Sequence, residues 1–461
     1  MDGSGDASVL RVGQADVAKF LCRNTYVKTE NSVRTAGPPC FLGDSDDPAD
    51  VFVRTVGLAD VVVGRSHDNS EVIDKQNDEN RDFISVILSD HQMQYTPSYI
   101  FMTTHTSTNV NITTSEALPE DHITKFNSSV TIPYTDFGTN GSSDVKAIRI
   151  SSTENITAAL GVQDITTLIT TEKLGTSYIL PNPYKDPRFE AYAAITVTAI
   201  HDNTTITISD WGETTFPDYT LNALETHVQE HHGSLPKTYS IQSSKPVAVF
   251  SGMYCMSDAN CSNIIEQIPP FNQLDTVYII PPNYNRFLTY ILYLSKDNTT
   301  ITSMNNDTIP ITGGKRYDYI MLNEVVMVIR SADPILMTSY AVQYLPLGEH
   351  NPYWTVVPGV NQYLPRYKTV IQSGWNNNYI AIMIRKSAVG GMRLNKQSID
   401  ANTIRFEKNV FVEDLEYSVI IAEVAEGELT LDTIDGTPFG LMVYGSGEHG
   451  GYGFAGNVIL R

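Results

Sequence analysis

Residues 245–282, KPVAVFSGMYCMSDANCSNIIEQIPPFNQLDTVYIIPP, contain the pattern from which the rest of the chain is best read. Residues 246–250 alternate as a β-strand does, and a proline at the start of a strand costs no ladder hydrogen bond. A short polar loop between two cysteines follows, and then residues 266–270 form an extended exit stiffened by two prolines. A second strand is predicted at residues 277–280. The stretch therefore predicts two strands joined by a loop with a rigid exit.

The same stretch carries a family resemblance. The succession of PVAVxSGxxC, a short loop to a second cysteine, and EQxPP resembles the N-terminal domain family of IgGFc-binding proteins. Weaker similarity extends over residues 80–461, whereas residues 1–79 show none. The resemblance implies a secreted, non-enzymatic binding or adhesion module of mucus or extracellular matrix, with an extracellular protein or glycoprotein as partner. Binding to immunoglobulin Fc belongs to the name of the family and is not assigned to residues here.

Charge and hydropathy exclude other partner classes. The chain has 461 residues and a net charge of -21, with 31 basic against 52 acidic side chains. Nucleic acid and anionic membrane surfaces are therefore not predicted as partners. No apolar run approaches the roughly 20 residues that a spanning helix needs. The start, MDGSGDASVL, has no signal-peptide pattern, so we expect either that a signal peptide has been removed or that the start is a cloning remnant.

The four cysteines allow three disulfide pairings, and sequence alone does not choose between them. Sequence proximity favours the pairs Cys22–Cys40 and Cys255–Cys261. The resemblance to secreted proteins implies that they are oxidised. The alternative is four reduced thiols in a cytosolic protein.

Several N-x-S/T sequons predict glycosylation. They lie at Asn111, Asn127, Asn140, Asn155, Asn203, Asn298 and Asn306, while an eighth, at Asn260, is adjacent to Cys261 and is set aside. About five would arise by chance in a chain so rich in Asn, Ser and Thr, so placement carries more weight than number. Asn203 and Asn298 fall in predicted hairpin turns, where a glycan would project into water.

From residue 80 onward the chain repeats itself. The segment AITVTAIHDNTTITIS at residues 194–209 is echoed by YILYLSKDNTTITSM at residues 290–304, so that Ile206 aligns with Ile301, 95 positions later. Weaker copies lie at residues 98–114 and 379–394. Self-similarity at a fixed period is the mark of a repeat architecture. Four hairpins in step are therefore predicted.

A second series of hairpins lies between the first ones. Its members occupy residues 149–161, 240–252, 328–340 and 431–445. After each of the first three comes an aromatic strand ending in proline, which starts at Ser177, Val277 and Trp354. The two series together give eight half-repeats.

The predicted fold class is all-β, because β-branched and aromatic alternation is found throughout residues 80–461 and helical periodicity is hard to find there. Four tandem repeats of about 95 residues are predicted to form a propeller-like domain over residues 80–461, preceded by an N-terminal segment at residues 1–79 with a predicted disulfide loop. The alternative is four tandem β-sandwich modules. The absence of linkers between the repeats favours the propeller-like arrangement.

The predicted partner-binding site is the exit of the cysteine loop. A proline-stiffened loop that interrupts the repeat once is the kind of preorganised element that recognition uses. The candidate residues are Ile264, Glu266, Gln267, Ile268, Pro269 and Pro270. The alternative is that this segment fills a gap between repeats, in which case Glu266 and Gln267 are buried.

The other motifs are better explained by ordinary structural roles than by ligand binding. The GxGxxG at residues 445–450 lacks a following helix and predicts a glycine-rich turn. His227, His231 and His232 are of a residue type that binds metals, but a solvated loop is the favoured interpretation of this cluster. The acidic turn at residues 44–50 could hold calcium, but it lacks the ligand spacing of an EF-hand, so a solvated turn is favoured there too. No metal, cofactor or catalytic motif is predicted. A secreted glycan-active enzyme with carboxylates at the propeller axis, and a structural oligomer-forming matrix component, remain the alternative functions.

Overall fold

The fold is taken from a computed structural model. It describes residues 40–42, 81–87, 99–114, 122–133, 146–161, 164–181, 191–211, 214–231, 237–255, 264–286, 288–303, 308–321, 324–342, 352–375, 377–447 and 450–456. The acidic turn at residues 44–50 lies outside these ranges.

Of the described residues, 68% are in β-strands and 6% are in short helices. The first strand, β1, is Cys40–Leu42. Repeat 1 contains β2 Asp82–Ile87, β3 Tyr99–Thr104, β4 Thr108–Thr114, β5 His122–Phe126, β6 Ser129–Pro133, β7 Lys146–Ser152, β8 Ile156–Gly161 and β9 Ile165–Thr167. Repeat 2 contains β10 Gly175–Pro181, β11 Ala191–Ala199, β12 Thr204–Asp210, β13 Thr214–Thr215, β14 Tyr219–Leu221, β15 Thr226–His231, β16 Thr238–Cys255 and β17 Ile264–Gln267.

The second half of the chain continues the pattern. Repeat 3 contains β18 Asp275–Ile280, β19 Leu288–Leu294, β20 Thr299–Ser303, β21 Thr308–Ile311, β22 Tyr317–Met321, β23 Met327–Val342 and β24 Tyr353–Val356. Repeat 4 contains β25 Arg366–Ile371, β26 Asn377–Arg385, β27 Met392–Leu394, β28 Ile404–Val412, β29 Leu415–Glu423, β30 Gly427–Thr433, β31 Phe439–Gly447 and β32 Gly450–Ala455. The predicted all-β class and the four repeats are confirmed.

Each repeat folds into an outer and an inner sheet. In repeat 2 the outer sheet places β12 between β16 and the short strands β13 and β14, with β10 on the other side of β16. The inner sheet has the order β15, β11, β16, β17. Strand β16 is therefore shared: residues 238–243 belong to the outer sheet and residues 247–255 to the inner one. Strand β23 is shared in the same way in repeat 3.

The two sheets differ in their burial. Strand β12 in an outer sheet alternates between buried and half-buried residues, as expected for a sheet with one face towards solvent. Strand β26 in an inner sheet is buried along nearly its whole length, so both of its faces are covered. The inner sheets therefore lie inside the molecule and the outer sheets close it from outside.

The hydrophobic cores join neighbouring repeats. The core of repeat 2 combines Ile208 of the outer sheet and Ile195 of the inner sheet with Leu292 from the inner sheet of repeat 3. The core of repeat 4 likewise includes Phe101 and Ile165 from repeat 1. Because the last repeat shares its core with the first, the four repeats form a closed ring.

The last inner strand of each repeat lies at the axis of this ring. Strand β9 contacts β17, β17 contacts β24, β24 contacts β32, and β32 contacts β9. This arrangement agrees with the propeller-like prediction. Each repeat has the strand number of a β-sandwich, as the alternative expected, but the shared cores prevent the repeats from being independent modules.

In each of the last three repeats a tyrosine hydroxyl anchors the first outer strand to another strand of the same repeat. Tyr178, Tyr278 and Tyr367 stand on the first outer strand of their repeats and donate hydrogen bonds to the carbonyl oxygens of Val247, Ile335 and Phe439, respectively, at 2.6–2.7 Å. These strands are β10, β18 and β25. The prediction that grouped the strand starting at Trp354 with β10 and β18 was therefore wrong, because β24 is the last inner strand of repeat 3.

A polar clasp closes the ring between repeats 1 and 4. Lys368 Nζ on β25 donates to the carbonyl oxygen of Thr104 at 2.9 Å and to Ser128 Oγ at 2.7 Å. Glu428 accepts from the hydroxyls of Ser128 and Ser129 at 2.5 Å each, and these hydrogen bonds lower the pKa of Glu428. Residues more than 200 positions apart in sequence are held together here.

Strand β1 shows that the N-terminal segment adds to the repeat domain. It pairs antiparallel with β22, and Cys40 lies opposite Ile320. The inner sheet of repeat 3 thus has one strand from outside the repeat. The domain boundary at residues 79 and 80 stays a prediction.

Candidate functional site

The predicted loop exit lies at the axis of the ring. Glu266 Oε1 accepts from the backbone N–H of Val356 on β24 at 2.7 Å. On the other side of β17, the backbone N–H of Gln267 donates to Thr166 Oγ1 on β9 at 3.0 Å, and Gln267 Oε1 accepts from the N–H of Ile169 at 2.7 Å. Strand β17 therefore connects repeats 1 and 3 through its polar side chains.

The burial of this segment corrects its predicted role. All six candidate residues are buried, and Glu266 and Gln267 retain 4% and 2% of their accessible surface. Side chains this inaccessible do not touch a partner on the intact ring. The structure therefore favours the alternative that Ile264, Glu266, Gln267, Ile268, Pro269 and Pro270 fill the gap between repeats and satisfy neighbouring backbone groups.

Asp164 is a second axial carboxylate, which the sequence had not singled out. It is fully buried and accepts from the backbone N–H groups of Ile165, Trp354 and Gly453 at 2.9–3.0 Å. These donors belong to repeats 1, 3 and 4. One carboxylate thus holds three repeats together, but in a chain with 52 acids its residue type alone gave no signal.

Burial sets the electrostatics of the axis. Desolvation raises the pKa of Asp164 well above its usual range, and its three backbone donors and Arg286 oppose the shift. Desolvation also raises the pKa of Glu266, and the charge of Asp164 adds to that shift. Glu266 Oε2 has no hydrogen-bond partner among the described residues. A buried carboxyl in this state favours its protonated form.

Arg286 connects the axis with the glycine-rich turn. Its Nη2 donates to the carbonyl oxygen of Gly445 at 2.6 Å, and its guanidinium lies 5.1 Å from the centre of the Tyr353 ring. Strands β31 and β32 pair antiparallel with Gly447 opposite Gly450. The predicted glycine-rich segment at residues 445–450 therefore brings the last strand back onto the sheet.

The histidine cluster is partly described. His227 lies on β15, opposite Val197 of β11, and not in a loop as predicted. Its ring stacks on Tyr219 with the ring centres 3.7 Å apart, and burial lowers its pKa. His231 ends the same strand, while His232 lies outside the described residues. Within the described ranges, no three His, Cys, Asp or Glu side chains converge as they would around a metal ion.

The cysteine pairings stay predictions. Cys22 and Cys261 lie outside the described residues, and only the strand positions of Cys40 and Cys255 are described. Among the helices that the structure describes, none has the length and apolar character needed to cross a membrane.

The asparagines of the predicted glycosylation sites differ in their exposure to solvent. Asn127, Asn155, Asn203 and Asn298 are exposed, and the last two lie in the predicted hairpin turns, between β11 and β12 and between β19 and β20. Asn111 is half-buried in the middle of β4, and its Oδ1 is buried without a hydrogen-bond partner among the described residues. Asn140 and Asn306 lie outside the described ranges.

The exposed large apolar side chains lie mostly in repeat 4. Within the described residues four large apolar side chains are exposed, namely Tyr284, Phe411, Leu415 and Ile434. Three belong to repeat 4, and Tyr284 packs edge-on against Tyr379 of β26 with ring centres 5.2 Å apart. The sequence analysis did not single out these side chains, although the acidic pair Glu413 and Asp414 between Phe411 and Leu415 indicated an exposed turn.

Comparisons with known proteins place the chain in a family. No curated protein sequence matches it. One solved structure, a biofilm associated protein BSP domain, aligns over 82% of this chain and 92% of its own, with 6% identity and a TM-score of 0.14, which is too low to support an argument. The family model described as IgGFc binding protein matches residues 164–445, which is more than half of the chain. The chain therefore belongs to the IgGFc binding protein family.

Proposed function

We propose that the protein is an extracellular, non-enzymatic binding or adhesion module that recognises a protein or glycoprotein. The observation that carries this proposal is the family match over residues 164–445, which spans repeats 2 and 3 and most of repeat 4. The ring adds a physical reason: a rigid body with shared cores presents its surface without a large ordering cost on binding.

The burial of the axial carboxylates argues against the glycosidase alternative. A glycan-active propeller needs two accessible carboxyl groups that flank a sugar. Among the described residues, the axial carboxyls are Asp164 and Glu266, and both are buried and accept hydrogen bonds from the backbone of neighbouring strands. They support the architecture of the ring and are not placed to meet a substrate.

The experiment is direct binding of the purified chain. Immobilised protein is exposed to IgG Fc, which the family description names, and to a mucin glycoprotein, with Fab fragments and serum albumin as controls. We expect saturable binding to Fc or mucin and none to the controls. Repeating the measurement after enzymatic removal of glycans separates protein recognition from glycan recognition. Absence of saturable binding to both Fc and mucin would count against the proposed partner class.

A further inference from the structure

The inner sheets of the four repeats have equivalent edge strands at the end farthest from the axis. These are β6, β15, β22 and β29, which pair with β3, β11, β19 and β26, respectively. In repeat 3 the edge of β22 is covered by β1, and in repeat 4 the edge of β29 is covered by β28. Within the described ranges, no strand covers the edge of β6 or of β15. Two of the four equivalent edges therefore carry an additional antiparallel strand.

The two uncovered edges differ in their suitability for a further strand. Strand β6 ends at Pro133, which has no N–H, and Ser129 Oγ donates a hydrogen bond to Glu428 of repeat 4. Proline on an edge strand is a common device against pairing with another chain. Strand β15, Thr226–His231, contains neither proline nor lysine, and its register with β11 has no bulge. Strand β15 is therefore the better acceptor for a further strand.

The backbone of β15 directs hydrogen-bonding groups away from β11. The N–H of Ala199 donates to the carbonyl oxygen of Glu225 at 3.1 Å, and the register continues from this pair along the two strands. Hydrogen-bonded and non-hydrogen-bonded pairs alternate in an antiparallel ladder. Thr226 and Val228 therefore turn their N–H and C=O groups towards the outer edge of the sheet.

Repeat 3 shows how a strand binds at this position. Thr196 of β11 lies opposite Val228, and Ile291 of β19, which is 95 positions after Thr196, lies opposite Tyr319. Tyr319 is thus the counterpart of Val228, and it lies opposite Phe41 of β1. An antiparallel strand centred on Val228 repeats in repeat 2 a pairing that is already present in repeat 3.

The sequence of β15 is compatible with pairing to a second copy of itself. In an antiparallel pair with a two-fold axis at Val228, Val228 faces Val228 of the other copy, Thr226 faces Glu230, and His227 faces Gln229. Two β-branched apolar side chains then meet at the centre. Like charges directly opposite each other destabilise a strand pair, and this register keeps Glu230 from facing its own copy.

We propose that two copies of this chain dimerise by antiparallel pairing of their β15 strands about Val228, so that the inner sheets of repeat 2 form one continuous sheet. Each copy uses the same edge, so the two-fold interface is closed. One strand pair is small for a protein interface, so the dimer is reversible and depends on concentration. The net charge of -21 on each copy opposes association, and salt screens this repulsion. The inference concerns self-association and does not rest on the proposed function.

The first test is the molar mass of the intact chain, measured by light scattering after size-exclusion chromatography. We expect an equilibrium of monomer and dimer that shifts towards the dimer as protein or salt concentration rises. Val228→Pro removes an outward N–H but no hydrogen bond to β11, so it should raise the dimer Kd at least about tenfold. Thr131→Pro is the matched control, because Thr131 turns its N–H outward at the edge of β6 in the same way. Thermal melting checks that both variants are folded.

Disulfide trapping tests the register without a proline. Val228→Cys places a cysteine opposite its own copy at the Cα separation of about 5.5 Å of a hydrogen-bonded pair, where a disulfide can form. Gln229→Cys is the matched control, because residue 229 faces His227 of the other copy and not itself. After mild oxidation, mass spectrometry should find a peptide linked to its own copy at position 228 and not at position 229.

Four results would each overturn the proposal. They are a monomer at every protein and salt concentration, an open series of larger assemblies, a dimer that Val228→Pro leaves as strong as the wild type, and equal cross-linking at positions 228 and 229. If Val228→Pro melts early, the comparison of the two cysteine variants decides.

Discussion

Glu266 shows how one buried side chain fixes the geometry of the axis. One of its oxygens accepts a backbone hydrogen bond from repeat 3, and the other has no partner among the described residues. Asp164, by contrast, has three backbone donors and also experiences the charge of Arg286. The charged form of Glu266 is therefore poorly compensated, and we infer that Glu266 carries a proton in the folded ring.

This proton links stability to pH. Burial raises the pKa of Glu266, so the folded state keeps a proton that the unfolded chain releases above about pH 4.3. The stabilisation is complete below that pH and is lost as the pH rises through the folded-state pKa. The raised pKa of Asp164 acts with the same sign. Replacing Glu266 by the neutral Gln should make the free energy of unfolding fall less between about pH 5 and about pH 8.

Urea unfolding at several pH values measures this effect. The matched control is Glu172→Gln, because Glu172 is exposed in the turn before β10. The control should keep the wild-type slope of stability against pH. A Glu266→Gln variant with the wild-type slope would show that Glu266 is ionised in the folded ring.

The repeated tyrosine hydroxyls make a second prediction at the residue scale. Tyr278 donates to the carbonyl oxygen of Ile335 at 2.7 Å and accepts from the N–H of Asp275 at 3.0 Å. Tyr278→Phe leaves these two buried backbone groups without their partner, at a cost of about 1–3 kcal/mol in the free energy of unfolding. Tyr99→Phe, at a half-buried tyrosine whose hydroxyl forms no hydrogen bond to described residues, should change it by less than about 0.5 kcal/mol. Equal stabilities of the two variants in urea unfolding would contradict this role.

At the scale of single residues, the sequence did not show whether a side chain faces solvent or the interior. The two prolines correctly indicated a rigid, extended segment, because their φ angles are fixed before any tertiary contact forms. A Glu-Gln pair normally faces water, so the sequence favoured an exposed site. Burial became possible only because backbone donors from β24 and the segment after β9 meet these side chains, and such contacts between distant segments leave no local signal.

At the scale of elements, the hairpin turns were the most predictable feature. The offset of 95 residues placed β11 and β12 in step with β19 and β20, and the Asn-Thr turns fell between them as expected. The pairing of β28 with β29 in the inner sheet of repeat 4 was not predictable, because a strand keeps its alternation whichever sheet it joins. The length of β16 was also underestimated, since a strand that bends from one sheet into another resembles two shorter strands.

These turns predict where glycans attach if the chain is secreted. Asn203 and Asn298 are exposed at equivalent turns, whereas Asn111 is half-buried in a strand paired on both sides. Expression through a mammalian secretory pathway should therefore give occupied sites at Asn203 and Asn298 and an unoccupied site at Asn111. Glycopeptide mass spectrometry, with Asn→Gln variants at each position, reports occupancy. Glycan at Asn111 together with bare turns would contradict the prediction.

At the scale of the whole molecule, the defining feature is the closure of the four repeats into a ring. The sequence indicated four repeats without linkers, and this favoured close stacking. It could not show that repeat 4 closes onto repeat 1, because the contacts of closure join residues such as Thr104 and Lys368 that are more than 200 positions apart. In the closed ring each hydrophobic core contains residues from two neighbouring repeats. A substitution that destabilises the core in one repeat should therefore also destabilise the neighbouring repeat.

Hydrogen exchange of the Phe101→Ala variant tests closure most directly. Phe101 belongs to β3 in repeat 1, but it packs in the core of repeat 4 with Ile380 and Leu441. Removing a buried phenyl ring costs about 3–5 kcal/mol. The closed ring predicts faster exchange, measured by mass spectrometry, in the peptides that cover β26 and β31 of repeat 4. In an open row of repeats Phe101 would have no partner there, so faster exchange confined to repeat 1 would contradict the ring.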